Sequence, residues 1–189
     1  MAAHDLTLAV DVGTSSVRAA LFDSAAHPLP DSFARESYTP ATTPDGGSTL
    51  DPTHLCAAIY ACIDSALAHA SGQPVTRVAF DTLVGNVLGL DTSGTPVTPV
   101  YTWADRRGAQ QADWLARHHD PANYARRTGC RFHTSYWPAR LRWLRDTQPD
   151  SFDRVRCWLS LGEYALYQIF GVRRASFSVA SWSGLLDRH

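Results

Sequence analysis

Residues 8–22 read LAVDVGTSSVRAALF: two short apolar runs separated by a carboxylate and a Gly-Thr-Ser-Ser turn. The first run, Leu6 to Val10, is β-prone and leads to Asp11, and the second, Val17 to Phe22, closes on Asp23, a pattern that predicts a β-hairpin. Gly13 permits backbone conformations closed to other residues, so a tight turn can aim several N–H groups at one anion. Thr14, Ser15 and Ser16 add hydroxyl donors, and Arg18 adds a fixed positive charge beyond the turn. Asp11, at the strand end, suits a hydrated Mg²⁺, which prefers carboxylate and phosphate oxygens while keeping part of its water shell. Two readings stand side by side: a phosphate-binding hairpin, and an ordinary hairpin with a polar tip.

The rest of the chain sets the frame. It has neither a G-x-x-x-x-G-K-[ST] run nor a G-x-G-x-x-G after a strand, which disfavours the two common glycine-rich nucleotide loops. With 189 residues, of which 44% are hydrophobic and 19% charged, it is long enough to bury one domain's core. The 17 basic and 18 acidic residues are well mixed, giving no electrostatic case for a nucleic-acid partner or an anionic membrane. Absence of a membrane-spanning apolar run or a secretion signal, together with four cysteines lacking C-x-x-C spacing, leads to the expectation of a cytoplasmic protein with reduced thiols. His118 and His119 are sequence neighbours that diverge by about 100° on a helix, so a solvated helix end is expected there rather than a metal site.

Read outward from the hairpin, the chain alternates strands and helices. Residues 27–40 carry three prolines and lead into an edge strand, and 41–50 form a loop. Asp51-Pro52 opens a helix running to Ala70, with Leu55, Ile59, Ile63 and Leu67 on one stripe. Apolar runs at 75–80, 84–90 and 97–101 predict strands. Helices are expected over 105–118, 121–128, 138–145 and 161–170, the last stopped by Gly171, with a strand over 155–159. An antiparallel start followed by helical crossovers makes an α/β layer protein built on a mixed sheet.

A second constellation follows the strand ending at Tyr101: Trp103, Asp105, Arg106 and Arg107. A carboxylate, guanidiniums and an indole at a strand end suit a polyol pocket, the ring covering an apolar sugar face. The same Asp and Arg also suit the first turn of a helix, where a carboxylate meets the helix dipole.

These patches resemble the FGGY carbohydrate kinases (gluconokinase, xylulokinase, glycerol kinase and relatives) of the actin and sugar-kinase superfamily. The hairpin resembles their first phosphate motif. VTPVYTWADRR at 97–107 is similar to the family's "P-L-x-P-x-x-x-W-x-D-x-R" stretch, and TGCRFHTSYWPARLRWL at 128–144 to its "T-G" turn and "K-L-x-W-L" helix. LSLGEYALYQIFGVRRASFSVASWSGLLD at 159–187 resembles the pattern of a helix ending at Gly, a Ser-rich strand and "A-S-x-x-G-L-L-D".

The resemblance implies an actin-like, ribonuclease H-like ATPase lobe, incomplete and spanning 1–189, of an enzyme that phosphorylates a sugar, polyol or sugar acid with ATP and Mg²⁺. It implies that Asp11 organises Mg²⁺ through water and that Gly13, Thr14, Ser15, Ser16 and Arg18 hold the nucleotide phosphates. Trp103, Asp105, Arg107 and Tyr136 then bind the substrate. The family's sugar-contact loop falls on Leu83-Val84-Gly85-Asn86, which matches neither xylulokinase nor glycerol kinase, and Arg140 stands where lysine is usual. FGGY kinases are more than twice this long. Their general base and second lobe are therefore expected outside this sequence, which leaves a catalytically silent fragment, a sugar-binding module or a homodimer completing the sheet edge as alternatives.

Overall fold

The structure, a computed structural model, describes residues 5–189. It divides into two compact units, one formed by residues up to Thr39 with Thr53–Leu83, the other by Pro40–Pro52 with Val84–His189.

The first unit is built on a four-stranded sheet. β1 (Leu6–Val12) pairs antiparallel with β2 (Ser16–Phe22), and β2 antiparallel with β3 (Ala34–Ser37). Helix α1 (Pro52–Leu67) then crosses over to β6 (Val75–Thr82), which runs parallel to β1 and completes the order β3-β2-β1-β6. The two-residue period of β1 sends Leu6, Leu8, Val10 and Val12 into the core and leaves Thr7, Ala9 and Asp11 on the more open face. Each large apolar side chain fully buried this way contributes roughly 1.5–3 kcal/mol. The Cys62 thiol of α1 lies 3.6 Å from the Val17 carbonyl, placing the helix against the sheet.

The buried stripe of α1 differs from the expected one. Leu55, Ile59, Cys62 and Ala66 are buried, whereas Leu67 is exposed, because a 3.6-residue period drifts off a strict four-residue repeat within three turns. The helix accordingly ends at Leu67 rather than Ala70.

The second unit contains the remaining elements. Residues 41–50 are not a plain loop: β4 (Ala41–Thr42) and β5 (Ser48–Leu50) form a small hairpin, and β5 pairs with β8 (Val100–Tyr101). β7 (Leu88–Leu90) pairs with β9 (Cys157–Leu159). The three apolar runs expected to be strands at 84–90, 97–101 and 155–159 are thus strands only where a partner is in register. Conversely Asp81 and Thr82, read as a break, extend β6, since they pair with Asp11 and Val12.

Beyond β8 come the helices α2 (Ala109–His118), α3 (Pro121–Thr128), α4 (Trp137–Thr147), α5 (Pro149–Arg154) and α6 (Leu161–Phe170), with a further short helix after them. α3 and α6 are delimited by their own caps. Asp120 accepts from the amides of Ala122 and Asn123 ahead of Pro121, Ser160 and Glu163 form a reciprocal capping box, and Gly129 and Gly171 end the two helices in left-handed backbone. His118 and His119 are exposed at the end of α2, His118 stacked on Trp114 at 4.0 Å. The Ser-rich stretch expected as a strand is instead a short helix, α7 (Phe177–Ser181), capped by Ser176. Val87, Tyr101, Trp143 and Leu144 form the unit's apolar centre, with Trp137, Leu141, Phe152 and Trp158 packed around it.

Candidate functional site

The β1–β2 turn carries the first group of candidate residues. The Gly13 amide donates to the Ser16 carbonyl at 2.9 Å, so only Thr14 and Ser15 lie outside the ladder. Gly13 itself is not in left-handed backbone, contrary to the expected use of its freedom. A Cβ there would meet nothing nearer than the Ser16 carbonyl at 3.4 Å, an ordinary contact. The hairpin therefore does not require glycine at this position, and what the missing side chain provides is open space beside the turn.

Both Thr14 and Ser15 are exposed, and their amides make no backbone hydrogen bond among the described residues. Ser16, grouped with them from sequence, is instead the first residue of β2, 1% exposed, with a hydroxyl that has no partner among the described residues. The carbonyls of Gly13 and Ser15 are both taken by one residue that the sequence did not single out. Tyr38, just after β3, donates its phenol to Gly13 O and its amide to Ser15 O, the latter at 2.9 Å. Burial and the neighbouring Asp11 charge push its phenol up to about 12.

Asp11 sits at the end of β1 opposite Arg18, whose guanidinium lies 3.1 Å from Asp11 Oδ2. Both side chains are 46% exposed, so the pair adds only about 0–1 kcal/mol to stability. Asp81 stands in register beside Asp11 on β6. Next to these charges the open sheet face forms a concavity of about 400 Å³ with Ala9, Ala20, Ala79 and Phe33 among its lining residues. The Asp11 carboxylate, half-exposed beside the exposed Asp81 and with no hydrogen bond to its Oδ1 among the described residues, suits a cation held through water and phosphate oxygens. No cluster of three or more His, Cys, Asp or Glu side chains arranged for a metal occurs among the described residues.

The second group lies in the other unit. Trp103, on the loop after β8, is 52% exposed. Gly85 lies against it in left-handed backbone, which favours glycine, and a Cβ there would come 3.1 Å from Trp103 Cβ, a contact that would press on the Trp103 loop. Ser135 donates its hydroxyl to the Trp103 carbonyl at 3.0 Å, and Tyr136, the next residue, occupies the N-cap position of α4 without a side-chain capping bond. Burial and the nearby Cys130 thiol hold the Tyr136 phenol above its ordinary value. His133 accepts the Ser135 amide on Nδ1 at 3.2 Å and lies 6.4 Å from the Tyr136 ring. Burial, then the charges of Arg131, Arg106 and Arg140, lower its pKa from the ordinary histidine value. The residues aligned with the family's sugar-contact loop are partly structural: the Asn86 carbonyl accepts Trp137 Nε1 at 2.9 Å and its Oδ1 accepts the Leu161 amide at 2.6 Å.

Asp105 does not cap a helix. α2 begins four residues later, with Gly108 as its N-cap and no acidic residue in its first turn. The Asp105 side chain is 1% exposed and faces inward: Oδ2 accepts the Ser48 amide at 3.0 Å and the Arg107 guanidinium at 2.5 Å. Arg107 in turn lies 4.5 Å over the Trp143 ring and 5.5 Å over Tyr101. Burial works against its charge, but the hydrogen bond and charge of Asp105 outweigh that and raise its pKa. Beneath them Arg140 is almost fully buried and donates to the carbonyls of Tyr101, Thr102, Asp105 and Thr134 at 2.8–3.1 Å. Desolvation pulls its pKa down to about 10, against the attraction of Asp105. Arginine fits where lysine is usual because only a planar five-donor fork reaches four carbonyls at once. These contacts make the Asp105, Arg107 and Arg140 side chains the frame of the loop that presents Trp103.

Known proteins match most of the described chain. At 23% identity over 182 residues it is similar to the gluconokinase of Bacillus subtilis (strain 168), a match covering 95% of this chain and 35% of that protein. Similarity to the glycerol kinase of Brucella ovis (strain ATCC 25840 / 63/290 / NCTC 10512) is 26% over 171 residues, 87% of this chain and 34% of that one. The chain thus spans about a third of the length of these curated relatives. In fold it matches the crystal structure of gluconate kinase from Lactobacillus acidophilus, with a TM-score of 0.90 at 20% identity over 97% of this chain and 37% of that one. The same score and identity relate it to xylulose kinase from Rhodospirillum rubrum, over 97% and 38%. The family described as "FGGY family of carbohydrate kinases, N-terminal domain" matches residues 6–189, and the chain belongs to that family.

Proposed function

We propose that this chain is the substrate-binding lobe and first phosphate turn of an ATP-dependent kinase that phosphorylates a hydroxyl of a sugar, polyol or sugar acid. The observation that carries this reading is the β1–β2 turn, where Thr14 and Ser15 are exposed beside the half-exposed Asp11 and their amides make no backbone hydrogen bond among the described residues. Phosphoryl transfer depends on positioning and on donors preorganised around the phosphate charge, so free amides and hydroxyls on a rigid hairpin suit the task. Arg18 and Gly13 serve the same turn, one as a positive charge, the other by leaving room. Asp11 would hold Mg²⁺ through water; the ion, when bound, neutralises phosphate oxygens.

Trp103 and Tyr136 would wall the carbohydrate, the exposed indole covering an apolar sugar face. Asp105 and Arg107 support this site by fixing the Trp103 loop. The whole enzyme's activity, and the choice among gluconate-like acids, pentuloses and glycerol, are part of the proposal.

Thermal unfolding of the 189-residue chain tests it, with Mg·ATP on one side and with gluconate, xylulose and glycerol on the other. A ligand at a hundred times its Kd adds about 2.7 kcal/mol. We expect Mg·ATP to stabilise the parent but not Asp11→Ala, and one of the carbohydrates to stabilise the parent but not Trp103→Ala. Absence of stabilisation by all of these ligands overturns the reading.

A further inference from the structure

We propose that Tyr38 is a positioning residue for the phosphate turn, its phenol setting the direction of the Thr14 amide. Tyr38 lies 25 residues from Gly13 in sequence and donates to the Gly13 carbonyl, while its own amide holds the Ser15 carbonyl. A peptide unit is planar and trans, so its C=O and N–H point to opposite sides. Fixing Gly13 O from one side thereby fixes the Thr14 N–H on the other. The carbonyl oxygens, which repel an anion, are drawn away by one side chain and one amide of the same residue, and the amides of Thr14 and Ser15 are left as the exposed donors.

Two further features agree with this role. The Gly13 amide is already used within the hairpin, so Thr14 supplies the first available N–H. The Tyr38 side chain is partly buried against the turn, and its hydroxyl has one proton to donate, which the Gly13 carbonyl takes. The inference rests on the phosphate reading of the turn.

The test is amide-resolved titration of the ¹⁵N-labelled 189-residue chain with Mg·ATP, for the parent, Tyr38→Phe and Tyr38→Leu, with order parameters of the ligand-free chains. If Tyr38 acted only by packing, Phe would preserve both affinity and order, and only Leu would lose them. The proposal expects Tyr38→Phe to weaken Mg·ATP about threefold to tenfold, the usual worth of one hydrogen bond, and to lower the order parameters of Thr14 and Ser15 while β1 and β2 keep theirs. A fluorinated tyrosine at position 38, close to isosteric and ionising at lower pH, gives a second measurement independent of the Phe variant's folding: its affinity should fall as the phenol deprotonates. Parent-like affinity and order in Tyr38→Phe, or a pH-independent affinity with the fluorinated residue, overturns the assignment. If Mg·ATP leaves Thr14 and Ser15 unperturbed in the parent itself, the phosphate reading fails and this inference with it.

Discussion

Asp105 and Arg107 form an inward-facing ion pair, guanidinium to carboxylate at 2.5 Å, in which the carboxylate is 1% exposed and also accepts the Ser48 amide. Removing one member leaves the other as an uncompensated buried charge, which costs more than the pair contributes. We expect Asp105→Ala to destabilise the chain by about 3–5 kcal/mol, measured by chemical denaturation. A loss below about 1 kcal/mol, the level of an exposed pair, would contradict the burial of this contact.

Arg140 offers a sharper comparison because its charge can be kept. Arg140→Lys retains a cation but replaces a five-donor fork with three donors on one atom, leaving at least one of the four carbonyls without its partner. An unsatisfied buried acceptor costs about 1–3 kcal/mol, and this is the expected loss of stability. Exposure of Trp103 should change with it, since the Thr102 and Asp105 carbonyls flank that residue; a shift in the Trp103 fluorescence or indole proton resonance reads that effect.

His133 should titrate below the ordinary histidine range. Its folded pKa is depressed by burial and by Arg131, Arg106 and Arg140, so in the window beneath the unfolded value of about 6.5 the unfolded chain binds more protons than the folded one. Stability from this group is therefore present above that value and declines as pH falls through the folded pKa. Imidazole resonances followed against pH should place His133 below the ordinary histidine value of about 6.5, and Arg131→Gln should move it upward. No movement in that variant would remove the electrostatic account.

Thiol labelling should follow burial. Desolvation pushes Cys56 up to about 11 and raises Cys62 and Cys130, whereas Cys157 is only half-buried. Thiolate is the reactive form, so iodoacetamide mapped by mass spectrometry should mark Cys157 first and reach Cys56 only on unfolding. Early labelling of Cys56 would contradict its place in the core.

What could be read from the sequence was mostly local. The bounds of α3 and α6 follow from Asp120-Pro121, Gly129, Ser160 with Glu163, and Gly171, all within a few residues of the helices they delimit. The hairpin followed from two apolar runs around a polar turn, and Trp103 from its place after a strand. Asp105 was ambiguous because its deciding partner, Ser48, lies 57 residues away. Tyr38 carried no local signal for the same reason. α5 was missed because six residues starting at Pro149 give too short a window for periodicity, and Phe152 against Trp158 is a tertiary contact. Gly13 suggested a tight turn using backbone closed to other residues, and the structure shows instead a glycine in ordinary backbone with free space beside it.

The central claim is that Asp11 and its turn serve phosphoryl transfer, and ADP release tests it most directly. The protein to measure is this chain joined to the C-terminal remainder of an FGGY kinase, the part that follows the matched third, assayed with ATP, Mg²⁺ and gluconate, xylulose or glycerol, as parent and as Asp11→Ala. The account predicts carbohydrate-dependent turnover by the parent and a loss of about a hundredfold or more in the variant, the scale on which removing one preorganised electrostatic group acts. Turnover in Asp11→Ala equal to the parent would contradict it.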